Sequence, residues 1–181
     1  MGNIIHKLIS KKIFWRFLYY KFAMHLPRKT NWGGVTSCVL RRYICRHIFE
    51  YCGENVNIEH GAKFGAGTKI RIGNNSGIGV NAVIPNGSHI GDNVMMGPNC
   101  YVHERNHDFT RTDIPMIQQG FLESKPVMIE DDVWIGRNVT IMVGRHIAKG
   151  SIVAANCVLT KDFPEYSVIG GNPSKLIRSR K

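Results

Sequence analysis

The sequence predicts an all-β fold, a parallel β-helix of six-residue repeats, preceded by an N-terminal helical arm. Three observations support this prediction: aliphatic residues recur every six positions, glycine follows many of them, and a basic N-terminal segment lacks the period. A period of six fits neither an α-helix nor a simple array of hairpins. It fits short strands joined by tight turns, three strands to a coil, with each coil burying the aliphatic residues of its neighbours.

Residues 1–50 form the predicted helical arm. They contain ten Lys or Arg residues and one acid, Glu50, for a net charge of +9, whereas residues 51–181 carry +2. Charged residues interrupt the arm too often for a spanning helix or a signal peptide. Residues 3–26 indicate one or two helices, and two placements stay open: packing on the β-helix or a neighbouring subunit, and contact with a membrane surface. No nucleic-acid reader motif is present, so nucleic acid is not an expected partner.

The repeat region covers residues 51–165. Twelve aliphatic residues carry the period in two runs: Ile72, Ile78, Ile84, Ile90, Met96 and Val102, then Ile129, Ile135, Ile141, Ile147, Val153 and Leu159. Weaker repeats reach back through Ile58, Phe64 and Ile70. Val102 and Ile129 are 27 residues apart, which is not a multiple of six. Residues 104–125 are therefore predicted to leave the β-helix as an excursion, and long excursions from a rigid solenoid usually carry function.

The remaining chain and the cysteines complete the outline. Residues 166–181 are predicted to form a C-terminal tail with several basic side chains. The five cysteines are odd in number and form no CxxC motif, which favours a reducing, cytoplasmic compartment. If the arm contacts lipid, the expected location is the inner face of the membrane.

Three stretches between residues 133 and 178, VWIGRNVTI, GSIVAANCVLTKD and GGNPSKLIR, resemble the left-handed β-helix acyltransferases of the hexapeptide-repeat family. The chain is most similar to the sugar and polysaccharide O-acetyltransferases of the maltose, galactoside and O-antigen type, over roughly residues 54–180. Residues 111–121 also resemble the loop of the glycan-modifying branch. The resemblance implies a left-handed coil, acetyl-CoA as co-substrate without a metal, and a homotrimer with active sites between subunits.

His107 is the residue that matches the base of this family, by counting from Gly91 through Val94. Acetyl transfer to a hydroxyl needs a base, and histidine is the side chain best tuned for that role near neutral pH. His103 is the rival candidate, and a solvated loop histidine is the alternative reading. Cys100 and Cys157 fall at small inward positions, so direct transfer in a ternary complex is expected, without a covalent intermediate.

The resemblance also implies a cofactor site and an acceptor site. The cofactor residues carried over are Trp134, Arg137, Ala155, Thr160, Lys161, Lys175 and Arg178. Trp134 would flank the pantetheine arm, although a corner-packing tryptophan is equally common, and the cations would meet phosphates. The family's acceptor-site asparagine falls on Gly77 here. Asn75 or Asn81 could replace it, with His103 and Asp108 as further acceptor contacts.

Three other functions remain open from the sequence. The acceptor could be a xenobiotic or serine in place of a sugar or surface glycan. A zinc hydratase on the same fold would need three converging histidines, of which His103 and His107 could supply two. A non-catalytic β-helix scaffold would need neither the histidine-bearing excursion nor the basic tail.

Overall fold

In a computed structural model, residues 2–181 are described, with side chains from residue 11 onwards. The arm contains helix α1 (Gly2–Lys21), a short 3₁₀ turn (Ala23–His25) and helix α2 (Gly34–Ile48). Fifteen short strands follow: β1 Tyr51–Cys52, β2 Asn57–Ile58, β3 Arg71–Ile72, β4 Gly77–Ile78, β5 His89–Ile90, β6 Met95–Met96, β7 Tyr101–Val102, β8 Met128–Ile129, β9 Trp134–Ile135, β10 Thr140–Ile141, β11 His146–Ile147, β12 Ile152–Val153, β13 Val158–Leu159, β14 Ser167–Gly170 and β15 Lys175–Ser179. A second 3₁₀ turn, Met116–Gln118, lies in the excursion.

The strands form the three faces of a solenoid. Face A consists of β1, β3, β5, β8 and β11 in that order. Face B runs from β2 and β4 through β6, β9, β12 and β14 to β15, and face C contains β7, β10 and β13, extended by bridges from Lys63 through Val83 to Tyr101. All strand pairs are parallel except β14–β15. The predicted parallel β-helix is confirmed.

The six-residue period places its aliphatic residues in the core. Eleven of the twelve repeat residues are buried, and Met96 is half-buried. Ile70 was predicted as the repeat after Phe64, and this register is wrong. Tyr51 pairs with Arg71 in a coil of 20 residues, whereas Arg71 pairs with His89 in a coil of 18. Two extra residues in the first coil move the period, so that Ile72 continues the repeat and Ile70 fills a second buried position.

Asparagines in the left-handed conformation form ladders along two edges of the solenoid. At the corner between faces B and C, the amide of Asn81 donates to Asn99 at 3.3 Å, Asn99 to Asn138 at 3.1 Å, and Asn138 to Asn156 at 3.1 Å. Their φ angles lie between 55° and 60°, a region that asparagine tolerates better than most residues. Successive coils therefore repeat the same turn.

The helical arm packs on the first coil of the solenoid. Tyr19 is fully buried and donates its hydroxyl hydrogen bond to the carbonyl of Ala62 at 2.8 Å. Arg41 is also fully buried, and its guanidinium donates to the carbonyls of Leu26 at 3.1 Å and Pro27 at 3.2 Å. One face of the arm thus covers the open end of the core. No helix within the described residues has the length and apolar character needed to cross a bilayer.

The C-terminal end differs from the predicted tail. Ile152 of β12 pairs in parallel with Val168 of β14, so the solenoid continues through Gly170, beyond the expected boundary at residue 165. The serine at 167 and the glycine at 170 replaced the expected repeat, which hid this strand from the sequence pattern. The chain then reverses, and β15 pairs with β14 in antiparallel fashion.

Candidate functional site

Three of the predicted cofactor residues meet in one cavity at the corner between faces B and C. Its volume is about 440 Å³, and its walls are mostly apolar. Trp134, Arg137 and Ala155 line it, and Trp134 is 51% exposed. The other lining residues are Gly97, Pro98, Gly136, Ile152, Val153 and Ala154. The cavity is an open slot with an aromatic wall and a nearby guanidinium.

Close stacking of successive coils forms this corner. The amide of Asn138 donates to the carbonyl of Pro98 at 2.9 Å, and the amide of Asn156 donates to that of Arg137 at 2.9 Å. A Cβ atom on Gly136 would lie 2.6 Å from the backbone nitrogen of Ala155. The sequence analysis did not assign the glycine and proline at 97 and 98, and the signal for them was the glycine that follows repeat residue Met96.

A row of outward-facing residues joins the cavity to the C-terminal strand. Trp134 pairs with Ile152, Ile152 with Val168, and Val168 with Arg178, on four neighbouring strands of face B. At about 4.8 Å between strands, Arg178 lies roughly 14 Å from Trp134 along this face. The antiparallel return of β15 therefore places a cation at a fixed distance from the aromatic wall.

The other predicted cofactor residues lie around the turn before β15. The backbone amide of Thr160 donates to the Ser174 hydroxyl at 3.1 Å, and the two side-chain hydroxyls are also 3.1 Å apart. The ammonium of Lys161 lies 5.5 Å from the centre of the Phe163 ring. Lys175 begins β15 opposite Gly170. Ser174, which sequence reasoning missed, is buried and connects this turn to face C.

His107 lies in the excursion on a short antiparallel ribbon. The amide of Asp108 donates to the carbonyl of Gly120 at 3.1 Å, and the amide of Leu122 donates to that of Asn106 at 3.0 Å. The exposed imidazole of His107 packs on Phe121, with ring centroids 4.5 Å apart and planes tilted by 32°. The ribbon therefore fixes the ring from one side and leaves its edge open to a ligand.

Side-chain hydrogen bonds order the rest of the excursion. The Asp108 carboxylate accepts from the Thr110 amide at 2.9 Å and from its hydroxyl at 2.8 Å, and these bonds, the amide first, lower the pKa of Asp108. The Gln119 amide group donates to the carbonyls of Arg111 at 2.9 Å and Ile114 at 3.0 Å. Asp108 therefore acts in this chain as a turn cap beside His107.

His103 is placed differently from His107. Its amide donates to the carbonyl of Ile141 at 2.9 Å, and its ring meets that of Tyr101 edge to face at 4.9 Å. It lies at the end of face C, where the chain leaves the solenoid, and it is half-buried.

The cavity and His107 lie at different corners of the same chain. The cavity is at the turn from β6 to β7, between faces B and C, whereas the excursion leaves after β7 and returns at β8, between faces C and A. Within the described chain, no excursion residue lines the cavity. One chain alone does not bring the predicted base and the predicted cofactor residues together.

The predicted acceptor asparagines belong to the ladders. Asn81 donates to Asn99, and Asn75 donates to Asn93 at 3.3 Å while accepting from Asn55 at 3.2 Å. Asn75 also lines a second cavity of about 310 Å³ at the start of face B. Among the residues whose side chains are described, no three His, Cys, Asp or Glu side chains are placed to hold a metal ion.

Comparisons with known proteins agree with this architecture. A family model described as the hexapeptide repeat of succinyl-transferase matches residues 69–104 and 126–161, on either side of the excursion. Galactoside O-acetyltransferase of Escherichia coli is 32% identical over 173 residues, which cover 94% of this chain and 80% of that protein.

Two solved structures extend this likeness to the fold. A hexapeptide-repeat acetyltransferase of Vibrio cholerae, solved with acetyl coenzyme A, is 29% identical with a TM-score of 0.75, and the match covers 98% of this chain and 89% of that one. A galactoside acetyltransferase in complex with coenzyme A is 26% identical with a TM-score of 0.74, over 96% of this chain and 82% of that one.

Proposed function

This chain belongs to the hexapeptide-repeat acetyltransferases, and from that premise we propose that it moves acetyl from acetyl-CoA to a hydroxyl of a sugar or surface-glycan acceptor. The observation that carries this proposal is the cavity beside Trp134, with Arg178 in register three strands away. Acetyl-CoA is long, with an apolar pantetheine arm and an anionic phosphate end. An apolar slot followed by fixed cations matches both parts.

The cofactor residues divide into two groups in this proposal. Trp134, Arg137 and Ala155 hold the pantetheine arm and the thioester in the cavity. Thr160, Lys161, Lys175 and Arg178 bind the phosphates around the turn before β15. Charge-assisted hydrogen bonds from these cations to phosphate are the strong polar contacts of such a site. No metal takes part.

His107 acts as the general base for direct transfer in a ternary complex. It removes the hydroxyl proton as the acceptor oxygen attacks the thioester carbonyl, the C–S bond breaks, and the CoA sulfur leaves with that proton as the thiol. A covalent enzyme intermediate is disfavoured because burial raises the pKa of Cys100 to about 11 and raises that of Cys157. Thiols of this kind are protonated near neutral pH and are poor nucleophiles.

The active site is proposed to form between subunits of a homotrimer. The cavity and the excursion lie at different corners of one chain, so the His107 of one copy is proposed to reach the cavity of the next. Co-expression of His107→Ala with Trp134→Ala tests this arrangement. Mixed trimers should regain activity that neither variant has alone, because one site of the mixture then has both residues. Failure of the mixture to regain activity would contradict a shared site.

The arm is proposed to contact an anionic membrane surface with the face that does not pack on the solenoid. Phe14 and Phe17 are 58% and 61% exposed, and Trp32 is 97% exposed. Lysines and arginines surround these residues, a combination that suits the interface of an anionic bilayer. Flotation with vesicles that contain phosphatidylglycerol should recover the protein, and pure phosphatidylcholine vesicles should not.

Acetyl-CoA and a panel of acceptors test the overall proposal. Acetyl-CoA should raise Tm because a ligand of the native state stabilises it. Thiol release should then depend on a sugar or glycan acceptor. Release with serine or a xenobiotic alone would replace the acceptor and keep the enzyme class. No shift in Tm at millimolar CoA would indicate a scaffold.

A further inference from the structure

The second cavity lies on the same face as the proposed cofactor cavity. It is lined by Asn57, Glu59, Gly77 and Met95 among others, and its volume is about 310 Å³. Asn57 pairs with Gly77, the Gly77 amide donates to the carbonyl of Val94 at 2.9 Å, and Met95 pairs with Trp134. At about 4.8 Å per strand, Gly77 lies roughly 10 Å from Trp134 along face B. The two cavities are therefore neighbours.

Asn57 presents an unpaired carbonyl oxygen in this cavity. Its Nδ2 atom donates to Glu59 Oε1 at 3.0 Å, while its buried Oδ1 atom has no hydrogen-bond partner. The orientation of the amide follows from its neighbour, because an ionised carboxylate only accepts and must face the NH₂ group. Buried polar atoms are nearly always paired, so an unpaired one needs an explanation such as a ligand contact.

Gly77 is the reason that Asn57 lacks a partner. In the ladders each asparagine meets another on the next coil, whereas the neighbour of Asn57 has no side chain. A Cβ atom on Gly77 would lie 3.3 Å from the Asn57 carbonyl oxygen and 3.7 Å from its Cβ atom. Gly77 is not among the glycines with positive φ, so its backbone does not demand glycine. The missing side chain leaves open space over the amide.

Glu59 adds a second fixed acceptor to the cavity. Its side chain is 14% exposed, it lies 3.9 Å from the buried Arg41 guanidinium, and it accepts from the Lys29 amide at 3.2 Å. These contacts hold the carboxylate beside the Asn57 amide. The polar end of the cavity therefore offers acceptors at fixed positions, which suits a ligand with several donors and disfavours a carboxylate.

We propose that this cavity holds a neutral hexopyranose ring of the acceptor, with Asn57 Oδ1 accepting a hydrogen bond from one of its hydroxyls. The inference rests on the proposed acetyl transfer and names its acceptor class and a specificity-determining residue. Asn57 thus does, from the preceding coil, what a side chain at position 77 would otherwise do. The volume is at the lower end of the roughly 300–1,000 Å³ of small-molecule sites, which suits a single sugar ring.

Steady-state kinetics with two probes, methyl β-D-galactopyranoside and methyl β-D-glucopyranoside, tests the proposal. Asn57→Leu should raise the KM for at least one glycoside about tenfold or more, in line with loss of one buried hydrogen bond, and leave the KM for acetyl-CoA unchanged. Gly77→Ala, which narrows the cavity without touching the amide, should raise the same KM by a smaller factor. Asn31→Ala, at an exposed turn asparagine, should change neither constant.

Three outcomes would overturn the inference. Equal KM values for the glycosides in wild type and Asn57→Leu would remove Asn57 from the site. A change in the KM for acetyl-CoA as large as that for the glycoside would indicate a general structural effect. Acetylation of neither glycoside by an enzyme whose Tm rises with acetyl-CoA would exclude the hexopyranose and keep the transferase, whereas absence of that rise would reject the proposed function itself.

Discussion

The solenoid and the excursion are ordered by different means. In the solenoid, inward aliphatic residues are buried on every coil and backbone hydrogen bonds repeat from strand to strand. In the excursion, no residue from 104 to 125 is fully buried, and side-chain contacts such as those of Asp108 and Gln119 hold the chain. Segments with few buried contacts open at low free energy. The proposed cofactor site therefore lies on the rigid region and the proposed base on the adaptable one.

Replacement of the base should give the largest effect. His107→Ala should lower turnover by roughly 10²- to 10⁴-fold, the usual contribution of a general base. Because His107 is exposed and outside the solenoid core, Tm and the Kd for CoA should stay close to the wild-type values. Thiol-release assays, calorimetric titration with CoA and thermal melts measure these quantities. Full activity in this variant would remove His107 from the mechanism.

A core substitution in the solenoid should show the opposite pattern. Ile141 is fully buried, and Ile141→Ala should lower the free energy of unfolding by about 2–5 kcal/mol through lost burial and a cavity. At temperatures where the variant stays folded, kcat should remain near wild type because Ile141 does not line the proposed site. Urea unfolding with parallel kinetics checks both. A loss of kcat without a loss of stability would contradict the division between the two regions.

A substitution that loosens the excursion should affect activity more than stability. Gln119→Ala removes the hydrogen bonds to Arg111 and Ile114. Turnover should fall about tenfold, since a small misplacement of a catalytic group is costly. The free energy of unfolding should change by less than about 0.5 kcal/mol, as for most surface positions. Gln118→Ala, on the neighbouring exposed residue, is the matched control and should leave both unchanged.

Thiol reactivity should distinguish the two regions with the smallest perturbation. Burial raises the pKa of Cys100 to about 11, so roughly a thousandth of this thiol is ionised at pH 8. Its alkylation by iodoacetamide should be slow at pH 8 in the native protein and should accelerate as pH rises towards 11 or on unfolding. A cysteine at the exposed excursion site, Glu123→Cys, should react rapidly. Mass spectrometry of each peptide over time would show whether Cys100 reacts as fast.

The sequence predicted the repeat well because one local rule, an aliphatic residue every sixth position, produces it. The same rule placed the excursion, since any insertion breaks the phase between Val102 and Ile129. It could not place Arg178 beside Trp134, because that neighbourhood depends on the reversal of β15. It also assigned Asn75 and Asn81 to the acceptor by proximity in sequence. The unpaired oxygen of Asn57 depends on a coil of 20 residues, which side-chain pattern alone does not reveal.

The ladder bond from Asn99 to Asn138 joins residues on either side of the excursion at 3.1 Å, the same distance as from Asn138 to Asn156. The coils thus keep their spacing across the inserted chain. Loops of other lengths and sequences can therefore be exchanged at this point without altering how the coils stack. Acceptor preference can then diverge among relatives by changes in one exchangeable segment, while the frame for acetyl-CoA is inherited intact.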